Sequence, residues 1–219
     1  MNYYNIRYSD ETCGGKSDIV WREFGIQQLA NLYKYFGFVI SDELIPLIVN
    51  NVEYKVIPKN ENIIKEGEMC DLLFFLISGT VKQHVLIQGN RQVVHLLDEG
   101  NLFSSVNSFF INEPSEISAT TCEKCRFLII RKDNYQKIIN SVYKSDMERF
   151  TRQVLVFMLQ NQNKNKALLY LNSKEKIIFL MNEFPGIFDK FKMKDIASFA
   201  SIKIETLSRA RKEYKNLAK

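Results

Sequence analysis

A chain of 219 residues, 46% hydrophobic, 12% aromatic and 25% charged, can hold one large domain or two small ones and is too apolar to stay disordered. Its longest apolar run, Leu72–Ile77, is far short of the roughly 20 residues that cross a bilayer as a helix, and MNYYNIRYSDETCGG has neither the basic head nor the apolar stretch of a secretory signal, so a cytoplasmic protein with no membrane partner is expected. The net charge of +5 is unevenly placed: residues 190–219 hold nine Lys or Arg against three Asp or Glu, while the other 189 hold 21 against 22, so the excess marks either a surface that meets a polyanion or a solvated basic tail.

Residues 1–24 show no sustained period and read as an extension with no assigned role. Leu29, Leu32, Tyr33 and Phe36 recur at helical spacing, and Ser41-Asp42 can cap a second short helix, DELIPLIVNN. From about 52 to 133 the texture changes to short runs broken by turn residues: YKVIP, NIIKEGE, LLFFLISGT, VKQHVLIQGN, RQVVHLLDEGN, EISATT and CRFLIIRKD. Strands at this density predict an antiparallel β-roll or sandwich, with Gly67, Gly79, Gly89 and Gly100 at its corners and Gln88-Gly89-Asn90 as a hairpin tip.

From Asn134 the period is helical again, and Met147, Phe150, Val154, Phe157 and Asn161 fall alternately three and four apart, a heptad seam. Such a stripe either packs on its own domain or joins two copies; because this helix links two domains, a homodimer contact is expected. The run QNQNKNK is its frayed end or a hinge. Ile177, Ile178, Leu180, Met181 and Phe184 then supply an apolar face before a Pro185-Gly186 stop, followed by a helix over Met193 to Ala200 and a closing helix from about Ile204. The expected division is an extension (1–24), a β-roll effector domain (25–140), a connecting helix (141–166) and an all-α domain (167–219), α+β overall.

In the closing helix Ile204, Leu207, Ala210, Tyr214 and Leu217 share a narrow arc that can dock on the preceding helix, where Ala197 and Ala200 allow a close crossing and Ile202 can fill the turn. Glu205, Ser208, Arg209 and Lys212 occupy the opposite arc. This is helix-turn-helix spacing, which sets the second helix in a major groove. Lys203, Glu205, Thr206, Ser208, Arg209 and Lys212 are the candidate DNA contacts: Glu205 can accept from cytosine N4, Arg209 can donate twice to guanine, and Thr206 suits a phosphate. The alternative is that Glu205 and Arg209 form a surface pair one turn apart. Lys203 stands where Ser or Thr usually caps the helix, and Ser201 where Gly commonly turns the chain.

The Glu66-Gly67 turn, the hairpin Ile77 to Val81, Asp98-Glu99-Gly100 and the closing IETLSRARK together resemble the Crp/Fnr family of bacterial transcription regulators, over roughly residues 27–219. The resemblance implies a cyclic-nucleotide-binding-like β-roll (jelly roll) with flanking helices, a long dimerisation helix and a C-terminal helix-turn-helix domain. It also implies double-stranded DNA with a near-palindromic operator as partner, the homodimer, and RNA polymerase as a further candidate. With the sequence ending at Lys219, the kind without a β-wing is expected. An effector-biased shift of the helix around Met147 to Asn161 would then set how two recognition helices meet half-sites about 34 Å apart.

Family members that bind cyclic AMP carry a Gly-Glu pair and then an Arg-Ser after the Asp-Glu-Gly turn. Here Ser104-Ser105 and Ile117-Ser118 stand in those places. Without the arginine a buried cyclic phosphate loses its charge-assisted partner, which argues against cyclic AMP as effector. A retained pocket would be lined by Ser104, Ser105, Asn107, Ser108 and Ser118 with His95 near its wall and would suit a weakly polar ligand; the alternative is a vestigial pocket in which these serines only form turns. Cys13, Cys70, Cys122 and Cys125 are too scattered for a disulfide framework, and the Cys122/Cys125 pair lacks the second pair or histidine of a metal site. No cofactor or metal is therefore expected, and with two histidines and no nucleophile–base spacing, no enzyme. The rival reading is a ligand-binding signalling module whose helical C-terminal domain contacts protein.

Overall fold

The structure, a computed structural model, describes residues 23–28, 44–141 and 168–217 together with positions 148, 151, 152, 155, 159 and 166. The seven apolar runs between 52 and 133 form the strands β1 (Glu53–Ile57), β2 (Asn62–Ile64), β3 (Leu72–Ser78), β4 (Val81–Ile87), β5 (Asn90–Leu97), β7 (Ser118–Thr121) and β8 (Cys125–Arg131), and a short strand outside them, β6 (Leu102–Phe103), is added between β5 and β7. They pair antiparallel in two four-stranded sheets, β1-β8-β3-β6 and β2-β7-β4-β5. The helices are α1 (Leu44–Asn51), α2 (Lys132–Asn140), α3 (Ser173–Glu183), α4 (Ile187–Lys190), α5 (Met193–Phe199) and α6 (Ile204–Leu217), and residues 23–28 are helical as well.

Period-two alternation assigns each strand's side chains to one of three cores. Phe74 and Leu76 of β3 and Phe127 and Ile129 of β8 meet Ile64, Val81 and Ala119 between the sheets. Their neighbours Phe75, Ile77, Leu128 and Ile130 face the other way and pack under residues 23–28, α1 and α2 with Ile26, Ile48, Val52 and Ile138. In the inner core the Phe74 ring stacks on Phe103 at 5.5 Å and meets the edge of Phe127 at 5.8 Å. The third core lies on the outer face of the second sheet, where Val93 and Leu96 of β5 join Ile177, Leu180, Ile187, Ile196, Ala197, Ala200 and Leu207 of the C-terminal helices.

A β-bulge makes that third core possible. His84 pairs with Val93 and Gln83 with His95, so Val94 has no partner and the register slips by one. Val93 and Leu96, three apart, therefore share a face that strict alternation would split, and Lys82 and His84 opposite them share it too. The C-terminal helices sit on this face. Their start has a sequence signal that helical periodicity overlooks: Asn172 accepts from the amides of Lys174 and Glu175 while Glu175 returns a bond to the Asn172 amide, a capping box. Of the expected apolar face, Ile177 and Leu180 are buried and Met181 and Phe184 partly so, but Ile178 is exposed. The Pro185-Gly186 stop leads into α4, a turn of helix not anticipated. Leu207 is fully buried as expected, whereas Ile204 on the same arc lies in the first turn, outside the contact with α5, and is exposed.

Two turns carry strain or crowding that can be measured. Gly79, between β3 and β4, has φ +99° and packs so tightly that a Cβ would lie 2.7 Å from Cys125 Sγ and 3.0 Å from Cys125 Cα. Gly89 at the β4–β5 tip has φ +78° with open space around it. Gly79→Ala is expected to lower the urea-unfolding free energy by about 3 kcal/mol, the sum of backbone strain and overpacking, and Gly89→Ala by only about 1 kcal/mol. Between α5 and α6, Ser201 at φ +52° is the left-handed residue of a Schellman turn: its amide bonds Ser198 O at 3.0 Å and that of Ile202 bonds Ala197 O at 3.0 Å. Ser201→Gly removes the strain and is expected to raise stability by about 1 kcal/mol in the same assay.

Candidate effector pocket and nucleic-acid interface

The loop from β6 to β7 contains most of the candidate pocket residues. Leu102 and Phe103 end in the paired strand, the chain passes Ser104 and Ser105, and Asn107–Ile111 form a single π-helical turn. Ser104, Ser105 and Ser108 come together, with Asn107 opening the turn, and each hydroxyl is bonded within the protein. Ser104 Oγ donates to Leu72 O at 2.7 Å, Ser105 Oγ donates to Glu116 Oε2 at 2.9 Å, and Ser108 Oγ accepts the Cys70 amide at 2.5 Å. Ser115 donates to Ile117 O at 2.7 Å, and its backbone exchanges bonds with Gly67 and Glu68 that tie the loop to the β2–β3 turn. Among the described residues no Lys or Arg donates to these serines, and the one ionic group touching them is the Glu116 carboxylate. The chemistry is that of a self-satisfied polar loop that carries a negative charge at Glu116.

The other two pocket candidates lie on strands of the second sheet. Ser118 follows the register of β7 beside the inward-facing Ala119, so it shares the outer face with its partner His84, and its hydroxyl accepts the Glu66 amide at 3.0 Å. His95 is exposed on β5 opposite Gln83. Cys70, Cys122 and Cys125 are free thiols, and burial pushes both Cys122 and Cys125 up to about 11. Both therefore stay protonated at neutral pH. No group of three or more metal-ligating side chains occurs among the described residues.

The candidate nucleic-acid surface is on α6. Lys203, Glu205, Arg209 and Lys212 are exposed, Thr206 and Ser208 are half-buried, and Leu207 on the opposite side is fully buried. Among the described residues Glu205 and Arg209 form no ion pair with each other, so both remain available to a ligand. Arg211 is turned inward: its guanidinium lies 5.1 Å from the Phe188 ring centre and 3.8 Å from Asp189, which removes it from that surface. Lys203, just before the first turn, has no side-chain acceptor with which to cap the helix.

The seam Met147, Phe150, Val154, Phe157 and Asn161 lies outside the described residues. Helical positions 148, 152, 155 and 159, which are described, are four, three and four apart and exposed, and Leu155 and Leu159 among them are 56% and 59% exposed. That apolar pair belongs to a stripe the sequence reading passed over. It also missed Lys82, Gln92, Asp195 and Ser198, which join β4 and β5 to α5, because nothing local in the sequence relates residues about a hundred apart.

Residues 54–142 match the family "Cyclic nucleotide-binding domain". Among curated proteins, potassium channel KAT1 of Oryza sativa subsp. japonica is 31% identical over 100 residues, 46% of this chain and 14% of the channel. Potassium channel SKOR of Arabidopsis thaliana is 23% identical over 134 residues, 61% of this chain and 16% of the channel. The chain thus matches only about a seventh of the length of either channel. Among solved structures, the c-di-GMP responsive global regulator CLP of Xanthomonas campestris superposes with a TM-score of 0.60 at 14% identity, covering 81% of this chain and 93% of that one. FixK2 of Bradyrhizobium japonicum gives 0.64 at 15% identity over 76% and 86%. Among the described residues no helix is long and apolar enough to cross a membrane. The sandwich between β1 and α2 thus matches the cyclic nucleotide-binding domain family, and its fold is shared with the regulator CLP and with FixK2.

Proposed function

We propose that the chain is a homodimeric, sequence-specific DNA-binding transcription regulator of the Crp/Fnr type, working in the cytoplasm and controlled by an effector other than cyclic AMP. The observation that carries the reading is α6: one side is buried through Leu207 against the preceding helices, and the other exposes Lys203, Glu205, Arg209 and Lys212. A positive surface on a helix held by a short turn fits a major groove, where Arg209 and Glu205 can read base edges and the lysines neutralise phosphates. Fold likeness to CLP over 81% of the chain, well beyond residues 54–142, supports the same reading. Leu155 and Leu159, exposed on the linking helix, suit contact with a second copy. The partners are then a near-palindromic duplex, the second copy and RNA polymerase, and no catalytic step is assigned.

A second reading is a ligand-binding signalling module whose helical unit contacts protein. The identity of 31% to a potassium channel, higher than to either regulator, favours it. Selecting duplexes from a random pool separates the two. The regulator reading expects one enriched near-palindrome whose affinity falls steeply as salt rises from about 50 to 200 mM, and a loss of about 1–3 kcal/mol with relaxed base preference for Arg209→Ala. No enrichment, or equal binding of selected and random duplexes, overturns it.

The pocket chemistry yields a separate expectation. Glu116 beside Ser105 and the isoleucine at 117 leave a cyclic phosphate unpaired, so isothermal titration with millimolar cyclic AMP is expected to show no saturable heat. Micromolar saturable binding would show that the loop rearranges to supply a cation from elsewhere.

A further inference from the structure

The outer face of β4 and β5 presents Lys82, His84, Val93 and Leu96 to the C-terminal helices. Lys82 Nζ bonds Asp195 Oδ1 of α5 at 2.7 Å, with the two side chains only 22% and 8% exposed. Around this pair the Ser198 hydroxyl accepts the Val93 amide at 2.9 Å, Gln92 Nε2 donates to Ser198 O, and Lys190 bonds Asp98 at 2.5 Å. His84 is 4% exposed and its Nδ1 has no hydrogen-bond partner, an unusual state for a buried imidazole nitrogen.

We infer that Lys82 and Asp195, with the imidazole of His84 buried beside them, form a proton-sensitive latch that holds the C-terminal helical unit on β4 and β5 and releases it in acid. Four charged groups bear on His84 from the elements around it: Arg91 of β5 and Lys82 of β4, which oppose a proton on the ring, and Glu66 of the β2–β3 turn and Asp195 of α5, which favour one. Burial is the largest influence and, with the two cations, holds the imidazole below its ordinary value of 6.5. The docked state binds the proton less readily than the released state. Its advantage is therefore complete above pH 6.5 and is lost as pH falls through the lower docked value. The orphaned Nδ1 has the same consequence, since it can carry a proton only where water or an acceptor reaches it.

While docked, α6 keeps Lys203, Glu205, Arg209 and Lys212 in solvent, so the latch fixes the direction of that face instead of hiding it. The latch rests on the docked geometry alone; its effect on DNA rests on the proposed function. A partial signal path follows that bypasses the linking helix: whatever shifts the β4–β5 hairpin relative to β7 moves the partners of α5 directly.

Cys122 supplies the readout, because it packs against the helical core next to Lys82 and Asp195, whereas Cys125 is fully buried inside the roll. The full chain is labelled with N-ethylmaleimide, each cysteine is quantified by peptide mass spectrometry, and each rate is divided by that of the urea-unfolded chain at the same pH. Between about pH 8 and pH 5.5 the protection of Cys122 is expected to fall at least threefold while that of Cys125 holds. Asp195→Asn is expected to cut Cys122 protection at least tenfold already at about pH 8, and His84→Gln to flatten the pH dependence. Cys122 protection that ignores pH, or that falls together with Cys125 protection, overturns the latch. The His84 ring resonance in the wild type decides its role without a variant: a midpoint at or above the ordinary histidine value overturns it. Loss of DNA enrichment with the labelling pattern intact would remove the proposed function and leave the latch standing.

Discussion

Five consecutive side chains of β3, Leu73 to Ile77, lose nearly all their solvent exposure, alternately to the inter-sheet core and to the helical layer above it. Burying side chains of this kind contributes about 2 kcal/mol each, so this one strand supplies on the order of 10 kcal/mol, as much as the net stability of a whole domain. The rest of the architecture follows from the need to cover it on two sides. β8 must pair with it in a register that alternates in the same way, with Phe127 and Ile129 turned inward and Leu128 and Ile130 outward. α1 and α2 must then lie across the outward set, and the second sheet must close the inward one.

The second sheet has no such imperative on its outer face. Among the described residues Val93 and Leu96 are its buried apolar contributions to the third core, a few kcal/mol at most, with Cys122 packed at their margin, and much of the remaining contact there is polar. An apolar joint of that size holds two units together only weakly once their freedom of motion is counted. Polar groups therefore decide how firmly the C-terminal helices sit on the roll. A buried ion pair is well suited to deciding position: Lys82 and Asp195 gain little over apolar substitutes but penalise every arrangement that separates them while leaving either buried.

How much of this was legible in the sequence follows from how far apart the determining residues lie. Most of the strands, the glycine corners and the two closing helices are local facts, set by alternation, by positive φ and by apolar spacing, and are legible in the sequence; the two-residue β6 is too short to show an alternation. The Gln88-Gly89 tip is a clear case, with both residues at positive φ as a tight hairpin requires. The arginine's absence is itself a fact of the one-dimensional string, with Ile117-Ser118 standing where the resemblance expects Arg-Ser. The bulge at Val94 was not: alternation sends Val93 and Leu96 to opposite faces, and only the slipped pairing with β4 reunites them. For the same reason nothing in the sequence separates Ser118, which the register sets on the outer face beside His84, from the loop serines, and nothing there singles out Lys82.

The serine loop and the docked helices bear on one another through β7 and β4. Ser118 of β7 faces His84 of β4 across the ladder and also takes the amide of Glu66, whose carboxylate in turn accepts the Leu86 amide of β4 at 3.1 Å. The same β2–β3 turn is bonded to Ser115 of the loop. A ligand that displaced Glu116 from Ser105 would have to move the segment from Ser115 to Ser118, and with it the strand edge against which Lys82 and His84 are held. The path from loop to α5 is thus a few hydrogen bonds long and runs through backbone, which transmits displacement more faithfully than flexible side chains do. For that reason the loop's present state, with every serine hydroxyl satisfied internally, also favours the docked arrangement: it leaves β7 in the register that presents His84 and Lys82 to Asp195.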